Sequence, residues 1–244
     1  MTGCCTLPPR EAPAIPLWIN GRPVLSMAPV FHEIRESATQ RLIRRVPMVD
    51  QALAATAIAS ANHAAGLLSA ATTEFLKALV IALQELEDHF AGLSAVESQT
   101  HLDAGKADVA HAIASVESLA AEPVIGEVRT AAGSGSSTLA LAGAGMPLSA
   151  AVLLVLPVIL RGGAVTLVPS PDAPSCALAL AELCGQCGLP DWLFNVVYVD
   201  DAVVSGLVAE PGLKQVRLFG PSNWAQRWQT AAMAWSVPCE RILA

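Results

Sequence analysis

The apolar and polar positions of this chain fall into two textures. Leu17–Val24 alternates around Asn20-Gly21, the dipeptide of a two-residue hairpin turn. Val30–Ile34 is the expected partner strand of that hairpin, and Leu42–Val46 a third extended piece. Pro47 is expected to open an Ala-rich helix over 49–68. Thr72 or Thr73 caps the next helix, in which Phe75, Leu76, Leu79, Val80, Leu83, Leu86 and Phe90 form an apolar stripe opposite Glu74, Lys77, Gln84, Glu85, Glu87 and Asp88. Two more helices are expected, over 91–100 and 105–121. After the small, polar residues 126–138, short apolar runs alternate with helical stretches. Strands are expected at 138–142, 164–168, 193–199, 214–219 and 240–243, and helices at 148–160, 174–186, 201–209 and 222–234. That order predicts an α/β fold: a parallel sheet with right-handed crossovers and helices on both faces. Ligands of such sheets bind beyond the carboxyl ends of the strands, near the switch in strand order, but the pattern itself names no ligand.

Composition narrows the partners. The chain has 244 residues, 53% of them hydrophobic and 14% charged, which is ample for a core and excludes intrinsic disorder. A formal charge of −7 argues against nucleic acid, and Arg41, Arg44 and Arg45 read as a solvated face. The uncharged stretch Leu139–Leu160 is long enough to span a bilayer. It is interrupted by Gly143, Gly145, Pro147, Ser149 and Pro157, and is read as a buried strand, a turn and a buried helix, so no membrane is expected. No apolar run precedes Cys4 and Cys5, so neither a secretory signal nor a lipid-attachment site is expected, and the protein is read as cytoplasmic with reduced thiols.

Candidate chemistry is thin. Cys184 and Cys187 have C-x-x-C spacing, but they fall at a helix end whose dipole raises a thiol pKa, and they read as packing residues, as do Cys176 and Cys239. His32, His63, His89, His101 and His111 form no pair at metal spacing, so no metal is expected. The Gly133–Ser137 run holds no dinucleotide fingerprint, Walker lysine or nucleophile elbow. Asp200-Asp201 reads as a helix cap.

The order of landmarks over roughly residues 15–244 resembles the cofactor-binding half of the NAD(P)-dependent aldehyde dehydrogenase superfamily. Leu17-Trp18-Ile19-Asn20-Gly21 is similar to that family's L-F-I-N-G hairpin, and Arg45-Val46-Pro47 before an Ala-rich helix to its next landmark. Val158–Val168 with Pro169-Ser170 is similar to the strand ending in K-P-S-E. Ala181-Glu182-Leu183, Gly188-Leu189-Pro190 and Asn195-Val196-Val197 are similar to "A-E-L…A-G-L-P…N-V-V", and Phe219-Gly220-Pro221-Ser222 stands at F-T-G-S. The Pro-rich residues 1–14 read as a loose arm, and the resemblance implies a Rossmann-like cofactor-binding domain made of 15–125 and 143–244, with a linker or shortened oligomerisation arm over 126–142. NAD or NADP is the implied cofactor, and Pro169, Ser170 and Ser222 are the cofactor-binding positions retained.

Several positions depart from the family pattern. Gly145 stands where P-W-N-F-P supplies the oxyanion-stabilising Asn, a donor whose loss costs about 100- to 1,000-fold in rate. Val168 and Pro171 match the ribose-holding Lys and Glu, and Gly220 and Pro221 match the Thr and Gly of F-T-G-S. The nucleophilic Cys and the general base are expected to lie beyond Ala244, so no catalytic residue is assigned in this chain. The expected function is that of a catalytically silent structural or regulatory partner whose cofactor binding is weak or lost. Its exposed face would be covered by self-association or by a protein partner. The alternative is the cofactor-binding half of a split or truncated enzyme oxidising an aldehyde to an acid.

Overall fold

The computed structural model describes residues 13–64, 72–121, 137–143 and 145–242. Strands β1 (Leu17–Ile19) and β2 (Arg22–Val24) form the expected hairpin. Asn20 and Gly21 take φ of 56° and 70°, the left-handed pair that a two-residue turn demands. The partner of this hairpin is not Val30–Ile34. β3 (Val30–Arg35) pairs with β4 (Leu42–Met48) in a separate two-stranded sheet, closed by a turn with Gln40 at φ 56°. β1 instead lies antiparallel to β7 (Phe194–Val196), Trp18 opposite Val196. Asn195 explains the attachment. Its side-chain oxygen accepts from the Asn20 N–H at 2.9 Å, and its amide donates to the carbonyls of Ala57 and Trp192, both at 3.2 Å. A fully buried amide is thereby satisfied while it ties hairpin, sheet and first helix together.

Pro47 lies within β4, opposite Phe31, and opens no helix. The helix begins only after Asp50, whose carboxylate accepts the Leu53 N–H at 2.9 Å; a capping acid fixes the start where proline alone does not. This helix, α1, covers Gln51–Ala64, and its expected continuation over 65–68 lies outside the described residues. The long apolar stripe is split between α2 (Thr72–Glu85) and α3 (Glu87–Glu97), because Leu86 leaves helical geometry at φ −103°, ψ 16°, so Phe90 belongs to α3. α4 (Leu102–Ala121) follows.

The second half alternates as expected: β5 (Ser137–Ala142), α5 (Pro147–Leu160), β6 (Ala164–Val168), α6 (Ser175–Gln186), β7, α7 (Asp201–Leu207), β8 (Leu213–Phe219), α8 (Ser222–Ala234) and β9 (Cys239–Ile242). The sheet order is β2-β1-β7-β6-β5-β8-β9, parallel from β7 to β9. Residues 137–142, at the end of the interval read as an arm, form β5, the middle strand of the parallel part; residues 126–136 and 1–12 lie outside the described residues. Every residue of β5 and β6 is buried, which is why both read as unbroken apolar runs. α5 and α6 cover one face beneath α2–α4, and α1, α7 and α8 cover the other. The uncharged stretch over 139–160 is divided between β5 and α5, and among the described residues no helix is long and apolar enough to cross a membrane.

Candidate functional site

β5 leads through α5 to β6 on one side, and β8 lies on the other, so the crossovers diverge between β5 and β8. A cleft of about 300 Å³ opens at the carboxyl ends there, the position the fold class dictates. Leu141, Ala142 and Gly143 form its floor, and the loop Val168–Asp172 after β6 forms one wall. Val199, Asp201 and Val204 at the start of α7 contribute a second wall. Pro221 at the N-cap of α8, with Trp224 and Trp228 of that helix, closes the third.

Of the retained positions, Pro169 and Ser170 line the cleft. Ser222, the first residue of α8, lies outside the lining, and its hydroxyl oxygen accepts from Arg241 Nη2 at 2.8 Å. Trp224 and Trp228 were given no role by sequence reasoning. Their spacing, four apart on a helix that starts at a strand's carboxyl end, is the signal that places both indoles on one face toward the cleft.

Where β5 and β8 end, the backbone is closely packed. A Cβ on Gly143 would meet Pro221 Cδ at 3.2 Å, and one on Gly220 would meet the Trp224 ring at 2.9 Å and Gly143 Cα at 3.2 Å. The Trp224 indole therefore lies directly on the Gly220 backbone. Pro221, at the N-cap of α8, has no N–H to offer. On the turn between β5 and α5, Gly145 takes φ 97° with nothing within 4 Å of where a Cβ would stand, and Met146 follows in the left-handed region at φ 44°. No side-chain donor projects from position 145.

The charged groups of the lining are carboxylates. Asp201 pairs with Arg227 at 2.7 Å, and Arg227 stacks 4.9 Å from the Trp228 ring centroid. Asp172 is 2.8 Å from His32 Nε2, which ties the cleft's loop to the small sheet. No Lys or Arg is among the described residues of the lining. Two neighbouring helix N-termini are closed by carboxylates from elsewhere in the chain. Asp108 accepts the Leu148 and Ser149 N–H groups of α5 at 3.0 and 2.9 Å, and Glu97 accepts the Ser175 N–H of α6 at 2.9 Å. Asp200 caps α7 as expected, accepting from Val203 N–H at 2.9 Å.

Burial raises the pKa of every described thiol. Burial pushes Cys184 far up, and it raises Cys187 as well, so desolvation, ahead of the helix dipole, holds this pair protonated. Burial likewise raises Cys176, with Glu97 and Asp108 adding to the effect. Among the described residues no group of His, Cys, Asp or Glu is arranged to hold a metal ion.

Known proteins give this geometry a lineage. Residues 28–238 match the aldehyde dehydrogenase family. Malonate-semialdehyde dehydrogenase 1 of Shouchella clausii is 25% identical over 219 residues, covering 83% of this chain and 45% of that protein. Betaine aldehyde dehydrogenase of Vibrio vulnificus is 37% identical over a shorter stretch of 81 residues. Among solved structures, lactaldehyde dehydrogenase from Escherichia coli superposes with a TM-score of 0.84 at 19% identity, covering 96% of this chain and 53% of that one. Aldehyde dehydrogenase C of Pseudomonas syringae, solved with NAD+ and octanal, gives 0.82 at 21%, covering 93% of this chain and 50% of that one. The chain thus spans about half the length of the full-span relatives it matches. The fold carries the Rossmann-like cofactor-binding architecture of these neighbours, and the chain belongs to the aldehyde dehydrogenase family.

Proposed function

We propose that this chain is a catalytically silent aldehyde-dehydrogenase-like protein that serves as a structural or regulatory partner. The observation that carries the reading is the chemistry of the cleft. A dinucleotide brings a dianionic pyrophosphate and ribose hydroxyls. The described lining meets them with Val168, Pro171, Pro221 and two carboxylates, and with no Lys or Arg. Proline and valine form no charge-assisted hydrogen bond, and the two carboxylates already engage Arg227 and His32, so neither pair offers phosphate a ready donor. The residues present do not fit NAD or NADP, so no hydride-transfer step is derived for this chain. Position 145 adds to the argument, since glycine there gives a developing oxyanion no side-chain amide.

A second reading, the cofactor-binding half of a split or truncated enzyme, is supported by the half-length coverage of the relatives. Calorimetric titration with NAD+ and NADH, with tryptophan fluorescence in parallel, separates the two. The expected result is no saturable binding up to several millimolar from a protein that melts cooperatively. Saturation at micromolar to submillimolar concentration would overturn the silent reading and favour the split enzyme.

The partner surface follows from exposed apolar groups. Met233 is 74% and Trp235 60% exposed at the end of α8, beside edge strand β9. Large apolar side chains at an unpaired sheet edge favour association. Sedimentation equilibrium of the purified chain is expected to return a mass above 25.3 kDa, and Trp235→Glu to lower it. A monomer at all concentrations would remove self-association.

A further inference from the structure

We propose that the outer face of α3 is a docking groove for a basic amphipathic helix of a partner protein. This groove lies on the helical layer, across the sheet from α8. It is therefore independent of cofactor binding in the cleft and of association through the α8–β9 edge.

Two hollows open along α3. One, of about 320 Å³, lies between α3 and β4 and is lined by Arg44, Asp88, His89, Gly92, Leu93 and Val96. The other, of about 260 Å³, lies between α3 and α6, lined by Leu86, Phe90, Glu182 and Leu183 among others. His89 borders both, so the two adjoin. Leu86, His89, Leu93 and Val96 recur three or four residues apart, which sets them in one row along the helix. Leu86 and Val96, at the ends of that row, are 39% and 51% exposed. Between them Gly92 has nothing within 4 Å of where a Cβ would stand. The row is an open trough with apolar ends, and each hollow has room for a large apolar side chain. Such a surface is the receiving half of helix-in-groove recognition, in which an incoming helix presents anchors three, four or seven residues apart.

Charge selects the occupant. Asp88 and Glu182 line the two hollows, and the exposed Glu85 and Glu87 flank Leu86. The cations at the groove are already engaged: Arg44 Nε lies 3.1 Å from Glu97, and Lys106 Nζ lies 3.8 Å from Asp88. Among the described residues no cation pairs with Glu85, Glu87 or Glu182. Lys or Arg beside the apolar stripe of an incoming helix would answer these carboxylates, whereas an acidic helix would meet like charge. A second copy docking by the same face would set acid against acid, and the whole chain carries a charge of −7. The occupant is accordingly a helix of another protein, apolar along one stripe and basic on either side of it.

The test is fluorescence anisotropy of labelled helical peptides titrated with the full chain at low and at high salt. One peptide carries a Leu stripe flanked by Lys, one the same stripe flanked by Glu, and one the Lys composition with the stripe scrambled. The Lys-flanked peptide is expected to saturate at least about tenfold more tightly than the Glu-flanked one at low salt, the gap narrowing as salt screens the carboxylates. Val96→Ser, at an exposed position, should weaken that binding about fivefold in a protein that still melts cooperatively. Asp88→Asn combined with Glu182→Gln should weaken it about threefold and flatten its salt dependence. Trp235→Glu should leave it unchanged. No saturation by the Lys-flanked peptide would overturn the proposal, as would equal binding of the Glu-flanked or the scrambled peptide. A lower sedimentation mass for Val96→Ser would also overturn it, by making a second copy the occupant. None of these outcomes alters the NAD+ titration that tests the proposed function.

Discussion

Replacing Glu97 by alanine is expected to cost about 3–5 kcal/mol, the loss typical of breaking a buried, hydrogen-bonded charge pair. Glu97 is 2% exposed on α3, yet it closes the start of α6, whose N-cap Pro174 carries no acceptor of its own. Its carboxylate takes the Ser175 N–H at 2.9 Å, the Ser175 hydroxyl, and Arg44 Nε of β4 at 3.1 Å. Alanine would leave a buried N–H and hydroxyl without acceptors and Arg44 without its counter-ion. At roughly 2–4 °C per kcal/mol for a chain of this size, the melting temperature should fall by on the order of 10 °C. A loss below about 1 kcal/mol in urea unfolding would mean that water replaces the carboxylate freely and that the site is not closed.

Glu97 also fixes a pH slope. Burial, the dominant influence, raises its pKa above the ordinary 4.5, while Ser175 and Arg44 pull it back only in part. A carboxyl whose folded pKa is raised binds its proton more tightly in the fold than in the unfolded chain. Its contribution is therefore fully present below 4.5 and is lost as pH rises through the folded value. Glu97→Gln removes this slope. The stability gap between the wild type and that variant should widen as pH falls from neutrality toward 4.5. A gap that instead widens with rising pH would reverse the assignment.

What the sequence disclosed and what it hid follow from the same physics. β5 and β6 were legible because strands buried on both faces need no alternation and stand out as apolar runs between turns. The Asn20-Gly21 turn was legible because so few residue pairs accept two positive φ values. The attachment of the hairpin to β7 was not, since it rests on Asn195, one buried amide 175 residues from Asn20. Nor was the break at Leu86, where neither proline nor glycine marks the change of direction. At the cleft, the departures at Val168, Pro171 and Pro221 were readable position by position, whereas the two indoles needed helical spacing to be brought together. Glu97 and Asp108 carry no motif that marks them, yet they serve helices whose own N-cap side chains, Pro174 and Met146, accept nothing. A helix start without a capping side chain is the signal that a carboxylate must come from elsewhere.

A buried arginine compensates for a proline in the wrong place, and the pair should be energetically coupled. Pro157 lies inside α5, so the Leu153 carbonyl one turn earlier lacks its usual N–H donor. Arg217 of β8 supplies one from outside the helix: its Nη1 donates to Leu153 O at 3.2 Å and to Leu154 O at 2.9 Å. The guanidinium is 3% exposed, and burial lowers its pKa, opposed by Glu240 of β9, which holds Nε at 3.0 Å. Arg217→Met keeps the apolar stem and removes every donor. One buried carbonyl left without a donor, at about 1–3 kcal/mol, and a second hydrogen bond lost, at about 1 kcal/mol, set the expected loss at about 2–4 kcal/mol, because the half-exposed Glu240 can return to water. Pro157→Ala restores the backbone N–H to Leu153, so Arg217→Met should cost about 1 kcal/mol less in that background. A double-mutant cycle in urea measures the term. Strict additivity would mean that the guanidinium serves the sheet edge through Glu240 alone; coupling near the expected value would mean that α5 keeps its proline only because β8 carries the donor it lost.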